Sequence, residues 1–267
     1  MCTIGTSHND NGTVYSFKNR DLINIKENPQ PFIVKGKKHS YIKFGVDITN
    51  KYKGVWAGIN DRGVSILGAD GNSLIDYTGT QYGGGEKTWE AYETVLSEFD
   101  SARKAYAFLI DFYQENKIGG TGDIIIIADK KDSIILEYSF NTWSIQFKDN
   151  PYMLRTNFFV NLPHLRPSPE SNTLHMSSAK RYERALGVLS ASSSNTTIDD
   201  IKRLLTDTYY GENAFSLCRS GGDGEYKTIC SVVFEVTDTE AIAYYVMNDK
   251  PSFDKYKILS LPLTTSP

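Results

Sequence analysis

The residues best suited to chemistry on a carbonyl carbon stand at the start of the chain. Cys2 becomes the first residue if Met1 is removed, and a side chain as small as cysteine favours that removal. The new terminus then carries a thiol and an α-amino group on one residue. An α-amino group ionises at about 7.7–8.0, so near neutral pH part of it is free to act as base toward the thiol. Nucleophile and base come from a single residue. Cysteine is also simply a common small second residue, and position alone does not separate the two readings. Further on, Lys18-Asn19-Arg20-Asp21 sets two cations and a carboxylate at the end of a strand-like run. An aspartate there can hold the α-amino group, and a neighbouring cation makes a thiol more reactive. Alone, the cluster is equally well a solvated strand end.

Elements that must position these residues follow from periodicity. Short apolar or alternating runs at Thr3 to Ser7, Thr13 to Arg20, Pro31 to Lys35, Tyr41 to Val46, Val55 to Ile59 and Val64 to Ala69 read as strands. Asn9-Asp10-Asn11-Gly12 and Asn60-Asp61-Arg62-Gly63 supply hairpin turn chemistry between them. A glycine-rich loop, Gly83-Gly84-Gly85, leads into two helices, Thr88 to Glu98 and Ser101 to Asn116. The second places Ala102, Ala105, Tyr106, Leu109, Phe112 and Tyr113 on one stripe, with Asp100 or Ser101 as N-cap.

Strands return at Asp123 to Ala128, Ser133 to Tyr138, Trp143 to Phe147 and Tyr152 to Thr156, followed by a proline-containing loop from Leu162 to Pro169. A second helix pair spans Ser178 to Ser190 and Ile198 to Tyr209. Thr197-Ile198-Asp199-Asp200 resembles a capping box with Asp in place of Glu. Lys227 to Val236, Glu240 to Met247 and Tyr256 to Leu259 close the chain as strands. Strands, two helices, strands, two helices and strands again predict an α+β fold: two antiparallel sheets flanked by helix pairs. With 267 residues and no repeat, the expectation is one domain over residues 1–267.

Composition narrows the function. A net charge of −3 with 40% hydrophobic and 23% charged residues argues against disorder and against nucleic acid as partner. No run approaches the roughly 18 apolar residues of a membrane span, and the polar stretch Met1 to Gly12 is unlike a secretory signal, so a cytoplasmic protein with no membrane partner is expected. Three cysteines (Cys2, Cys218, Cys230) make no disulfide framework and no CxxC pair. His8, His39, His164 and His175 lack ligand spacing, and no metal site is expected from them.

Taken together, Met-Cys-Thr at the start, the element ending at Asp21, the turn Ala57-Gly58-Ile59-Asn60-Asp61-Arg62-Gly63-Val64, Arg155-Thr156-Asn157 and Ser177-Ser178-Ala179-Lys180-Arg181-Tyr182 resemble the N-terminal nucleophile hydrolases. The similarity is to the choloylglycine hydrolase and penicillin V acylase family and to the related acyl-CoA:isopenicillin N acyltransferase-like family, and it runs from Cys2 to about Val236. It implies a four-layer αββα sandwich and cleavage of linear carbon–nitrogen amide bonds, with no metal or organic cofactor.

Carried over by residue, the resemblance makes Cys2 the nucleophile, Asp21 the partner of its α-amino group, Asn157 an oxyanion-hole asparagine and Arg181 a later active-site arginine. Arg184 is a rival for that last place. Lys18 stands where these enzymes usually carry arginine, and Arg20 competes for the role. Asn60 reads as a turn residue and is carried as a candidate substrate contact. Where bile-salt and penicillin V hydrolases have Gly-Leu-Asn, this chain has Gly68-Ala69-Asp70. An ionised aspartate cannot donate a hydrogen bond to an oxyanion, so Asp70 becomes a candidate contact for a cationic substrate group.

The resemblance implies a small-molecule amide as partner. The short segment between Asn157 and Arg181 lacks the insertion of tetrameric bile-salt hydrolases and argues against bile salts and that assembly; a homo-oligomer of another kind is left open. Among aromatics, Tyr82, Trp89, Phe158, Phe159, Tyr209 and Tyr210 are candidates to line an acyl pocket. Hydrolysis and acyl transfer share the acyl-thioester step. An acyltransferase of small-molecule biosynthesis, a C69-type dipeptidase, which also begins Met-Cys-Thr, and a non-catalytic ligand-binding relative are the alternatives.

Overall fold

The computed structural model describes residues 1–23, 29–47, 53–71, 85–118, 122–139, 142–166, 173–192, 195–221 and 225–264. The strands are β1 (Cys2–His8), β2 (Val14–Leu22), β3 (Phe32–Lys35), β4 (Ser40–Asp47), β5 (Lys53–Asn60), β6 (Ser65–Asp70), β7 (Asp123–Ala128), β8 (Ser133–Ser139), β9 (Thr142–Phe147), β10 (Tyr152–Arg155), β11 (Lys227–Val236), β12 (Glu240–Met247) and β13 (Lys257–Pro262). The helices are α1 (Gly85–Glu98), α2 (Ala102–Glu115), α3 (Thr173–Ser192) and α4 (Ile198–Leu205). No helix among the described residues is long and apolar enough to cross a membrane.

Two antiparallel sheets form, in the orders β10-β1-β2-β11-β12-β13 and β3-β4-β5-β6-β7-β8-β9. The blocks of strands along the chain are therefore not the sheets. The opening hairpin β1–β2 joins the late strands because β2 pairs with β11, and this brings residues more than two hundred positions apart to one strand end.

Alternation along each strand builds the four layers. Ile124 and Ile126 of β7 face a core between the sheets, where they meet Ile4, Phe44, Val232 and Phe234. Ile125 and Ile127 face Ala91, Val95 and Leu96 of α1 and Leu109 of α2. The unbroken apolar run of β7 is what a strand covered on both faces requires. On the first sheet, Phe17 and Val233 turn outward onto Ala185 and Leu189 of α3 and Ile201, Leu204 and Leu205 of α4. The layers are α1α2, sheet, sheet, α3α4, as the periodicity predicts.

Local signals act as written. Ser101 caps α2, accepting from the Lys104 amide. At the start of α4, Thr197 and Asp200 exchange both bonds of the capping box. Observed α3 begins earlier than its apolar pattern, and α4 stops at Leu205, with Thr206 as its C-cap.

Candidate active site

On β1, Cys2 points into the space between the sheets while Thr3 points toward α3. The β2 partners alternate in the same way: Lys18 and Arg20 face the space beside Cys2, whereas Asn19 and Asp21 face the helix layer. The element Lys18-Asn19-Arg20-Asp21 is thus two half-sites on opposite faces of one strand. Both cations fall on the thiol side, and they differ in use. The Lys18 side chain hydrogen-bonds the Cys2 side chain and donates to the carbonyl oxygens of Trp56, at 3.4 Å, and Gly68. Its three ammonium hydrogens match these three acceptors. Burial lowers the Lys18 pKa, with Cys2 acting against that shift. The Arg20 guanidinium lies over the Trp56 ring, 5.2 Å from its centroid.

This space is a cleft of about 190 Å³, lined by Met1, Cys2, Lys18, Arg20 and Asp21, by Trp56 of β5, by Gly68, Ala69 and Asp70 of β6, by Thr88, Trp89 and Tyr92 of α1, and by Asp123 of β7. Met1 is nearly buried at 5% exposure. Its amino group donates to the Asp21 carbonyl at 3.0 Å, and the Asp21 amide donates back to the Met1 carbonyl at 2.8 Å.

Behind Cys2, on the helix side, the Asp21 carboxylate is fully buried. Thr228 donates to it at 2.7 Å, Arg219 at 3.5 Å, and Arg181 stands 4.0 Å away. Arg181 connects the parts of the site. It donates to the Cys2 carbonyl at 2.7 Å, to Thr3 Oγ1 at 2.9 Å and to Asn157 Oδ1 at 3.2 Å. Burial pulls the Arg181 pKa down to about 10, opposed by Asp21, so it remains charged at neutral pH. Arg184 is elsewhere, half-buried and bonded to Asp207 on the helix surface, whereas Arg181 is fully buried beside Cys2.

Asn157 follows β10 and meets both sides. Its Oδ1 accepts from the Cys2 main-chain nitrogen at 2.6 Å, and its Nδ2 donates to the Asp70 carbonyl at 3.0 Å. The loop that carries it is held by one carboxylate. Glu137 of β8 is fully buried; it accepts from Arg155 Nε at 2.7 Å and from the main-chain amides of Val160, Asn161 and Leu162. Phe159 locks the same loop against Gly71 and Gly122, where an added Cβ would come within 2.5 Å of its ring. Replacing Glu137 with alanine strands a buried guanidinium and three amides. An expected loss of about 3–5 kcal/mol is read as a lowered urea midpoint at unchanged slope.

The remaining sequence candidates divide. Asp70 and Trp89 line the cleft. Asn60 does not: its Oδ1 accepts from the Arg62 and Val64 amides and its Nδ2 donates to the Leu96 and Phe99 carbonyls, so the turn reading accounts for all of it. Phe158 packs on His175 and Tyr182 and is not among the lining residues. Tyr209 and Tyr210 pack edge to face on each other and are not among the lining residues. Tyr82 lies outside the described residues.

Arg219, Thr228 and Asp123 were not anticipated. Arg219 and Thr228 reach Asp21 across some two hundred positions, which no local pattern reveals. Asp123 had a signal, a carboxylate opening an apolar strand buried on both faces. Burial, then Asp70, push its carboxyl up to about 7, while Thr88 and Tyr113 donate to it at 3.3 and 3.1 Å. Among the described residues no three His, Cys, Asp or Glu side chains come together as a metal site.

A profile of the family described as AAT, acyl-coenzyme A:6-aminopenicillanic acid acyl-transferase, matches residues 7–250. Among curated proteins nothing matches. Solved structures with the same fold include a mutant conjugated bile acid hydrolase from Clostridium perfringens, 13% identical with a TM-score of 0.63, over 98% of this chain and 92% of that one. A Caenorhabditis elegans ortholog of N-acylethanolamine-hydrolyzing acid amidase is 16% identical with a TM-score of 0.56, over 87% and 92%. Penicillin V acylase from Agrobacterium tumefaciens is 15% identical with a TM-score of 0.54, over 97% and 91%.

Proposed function

Since the chain belongs to the acyl-coenzyme A:6-aminopenicillanic acid acyl-transferase family, we propose that it is a cysteine amidase or acyltransferase that breaks a linear amide bond through an acyl-thioester on Cys2. One observation carries this reading. Cys2 joins the two half-sites, its thiol beside Lys18 in the cleft and its main chain held by Asn157 and Arg181 above the buried Asp21.

Removal of Met1 turns the Cys2 nitrogen, now 2.6 Å from Asn157 Oδ1, into an α-amine. Folded Met1 is nearly buried, so an external peptidase reaches it most readily before β1 closes against β2. In the reaction the thiol sulfur attacks the amide carbonyl carbon and its proton passes to the α-amine. The oxyanion is held by the Asn157 amide and main-chain N–H groups. Collapse breaks the carbon–nitrogen bond, the α-ammonium returns the proton to the departing amine, and the acyl group stays on sulfur. Water or a second amine then attacks the thioester, loses its proton to the α-amine and restores the thiol. Hydrolysis and transfer differ only in that second nucleophile. Arg181 and Asp21 act as positioning residues through Cys2.

The test is intact-protein mass spectrometry after incubation with a panel of amides. The expected result is a chain lacking Met1 that gains one acyl mass, mapped to Cys2. Retained Met1, or no adduct with any acyl donor, defeats the mechanism and favours a ligand-binding relative.

A further inference from the structure

Asp70 ends β6 and Asp123 begins β7, and the register sets them directly opposite one another. Like charges at opposed positions of an antiparallel pair destabilise it. Thr88 and Tyr113 both donate to a single Asp123 oxygen, Oδ2, and Asp70 makes no side-chain hydrogen bond or ion pair with a described residue. Asp70 favours the charged forms of Lys18 and Arg20, but no cation among the described residues pairs with Asp123. A local cost that is only partly offset is what a binding site looks like before its ligand arrives.

The surroundings indicate the ligand. Both carboxylates line the cleft that holds the Cys2 thiol, together with the aromatic side chains of Trp56, Trp89 and Tyr92. Carboxylates beside aromatic faces suit a protonated amine. The cations of the cleft lie on β2 and are in use, Lys18 on Cys2 and two carbonyls, Arg20 over the Trp56 ring. The cleft is therefore polarised, with positive charge at the nucleophile and negative charge at the β6–β7 end.

We propose that Asp70 and Asp123 form the seat for a cationic amine on the substrate, so that the amide cleaved at Cys2 carries a protonated amino group. This rests on Cys2 being the reactive thiol. Three methanethiosulfonates that differ in charge test it: 2-aminoethyl (cation), methyl (neutral) and 2-sulfonatoethyl (anion). Each forms a mixed disulfide with a thiolate and releases methanesulfinate. Rates at Cys2 are measured on the full chain by peptide mass and divided by those of free N-acetylcysteine amide.

After that correction the aminoethyl reagent is expected to outrun the sulfonatoethyl reagent by about tenfold or more, and Asp70→Asn/Asp123→Asn to remove most of the preference. Thermal melts report folding of the variant; should the double variant not fold, Asp70→Asn, at an exposed position, carries the comparison and should lower the preference by itself. Equal rates for the two charged reagents, or a ratio unchanged by the substitutions, overturn the inference while Cys2 remains the reactive thiol. Cys2 inert to all three reagents removes that reading and the inference together.

Discussion

Cys2→Ala is expected to abolish turnover, by about 10⁴-fold or more, and to leave no acyl adduct on the chain. Alanine keeps the main-chain nitrogen that reaches Asn157 and the carbonyl that receives Arg181, so the frame around the missing sulfur survives. Only the thiol and its contact with Lys18 are lost. The thermal midpoint should change by a few degrees at most, because a single small side chain leaves the core between the sheets. Alanine at position 2 also permits removal of Met1, and the variant therefore separates the thiol from the α-amine. Undiminished amidase activity in this variant would sink the nucleophile assignment. Activity lost together with the fold would move Cys2 from chemistry to packing.

Much of this architecture could be read from periodicity, and the reason is local. Each strand of β4 to β8 buries at least one face and each helix shows one apolar stripe, so a window of a few residues carries the information. The site is different. Cys2, Lys18, Arg20 and Asp21 lie within one hairpin and could be suspected from their order alone, yet the sequence left Lys18 and Arg20 as rivals. Strand alternation puts both in the cleft and sends Asp21 through the sheet to the other side. Arg219 escaped notice because its contact depends on β2 pairing with β11, a long-range choice with no local mark. Asp70 was visible as a departure from family pattern; its meaning changed when the register put Asp123 opposite it.

The second large effect belongs to Asp21, and it should appear in stability and in rate. Its carboxylate stands between two guanidinium groups, Arg181 and Arg219, that are almost wholly removed from water. Asp21→Asn leaves both cations without their counter-charge, and breaking a buried pair in this way costs about 3–5 kcal/mol. A urea titration reads that loss. Arg181 would then be free to shift, and with it the Cys2 carbonyl and the Asn157 amide that it holds. The acylation rate should fall by about a hundredfold or more with a smaller change in KM, because substrate contacts in the cleft lie on the opposite face of the sheet. Adding Arg219→Met to Asp21→Asn separates the two losses. Removing one stranded charge should recover part of the stability, while acylation stays slow, since Arg181 still lacks its anchor. If the double variant regains rate and stability in parallel, Asp21 serves the fold alone; if neither returns, the charge that matters is Arg181, and Asp21 is needed chiefly to keep that guanidinium over Cys2.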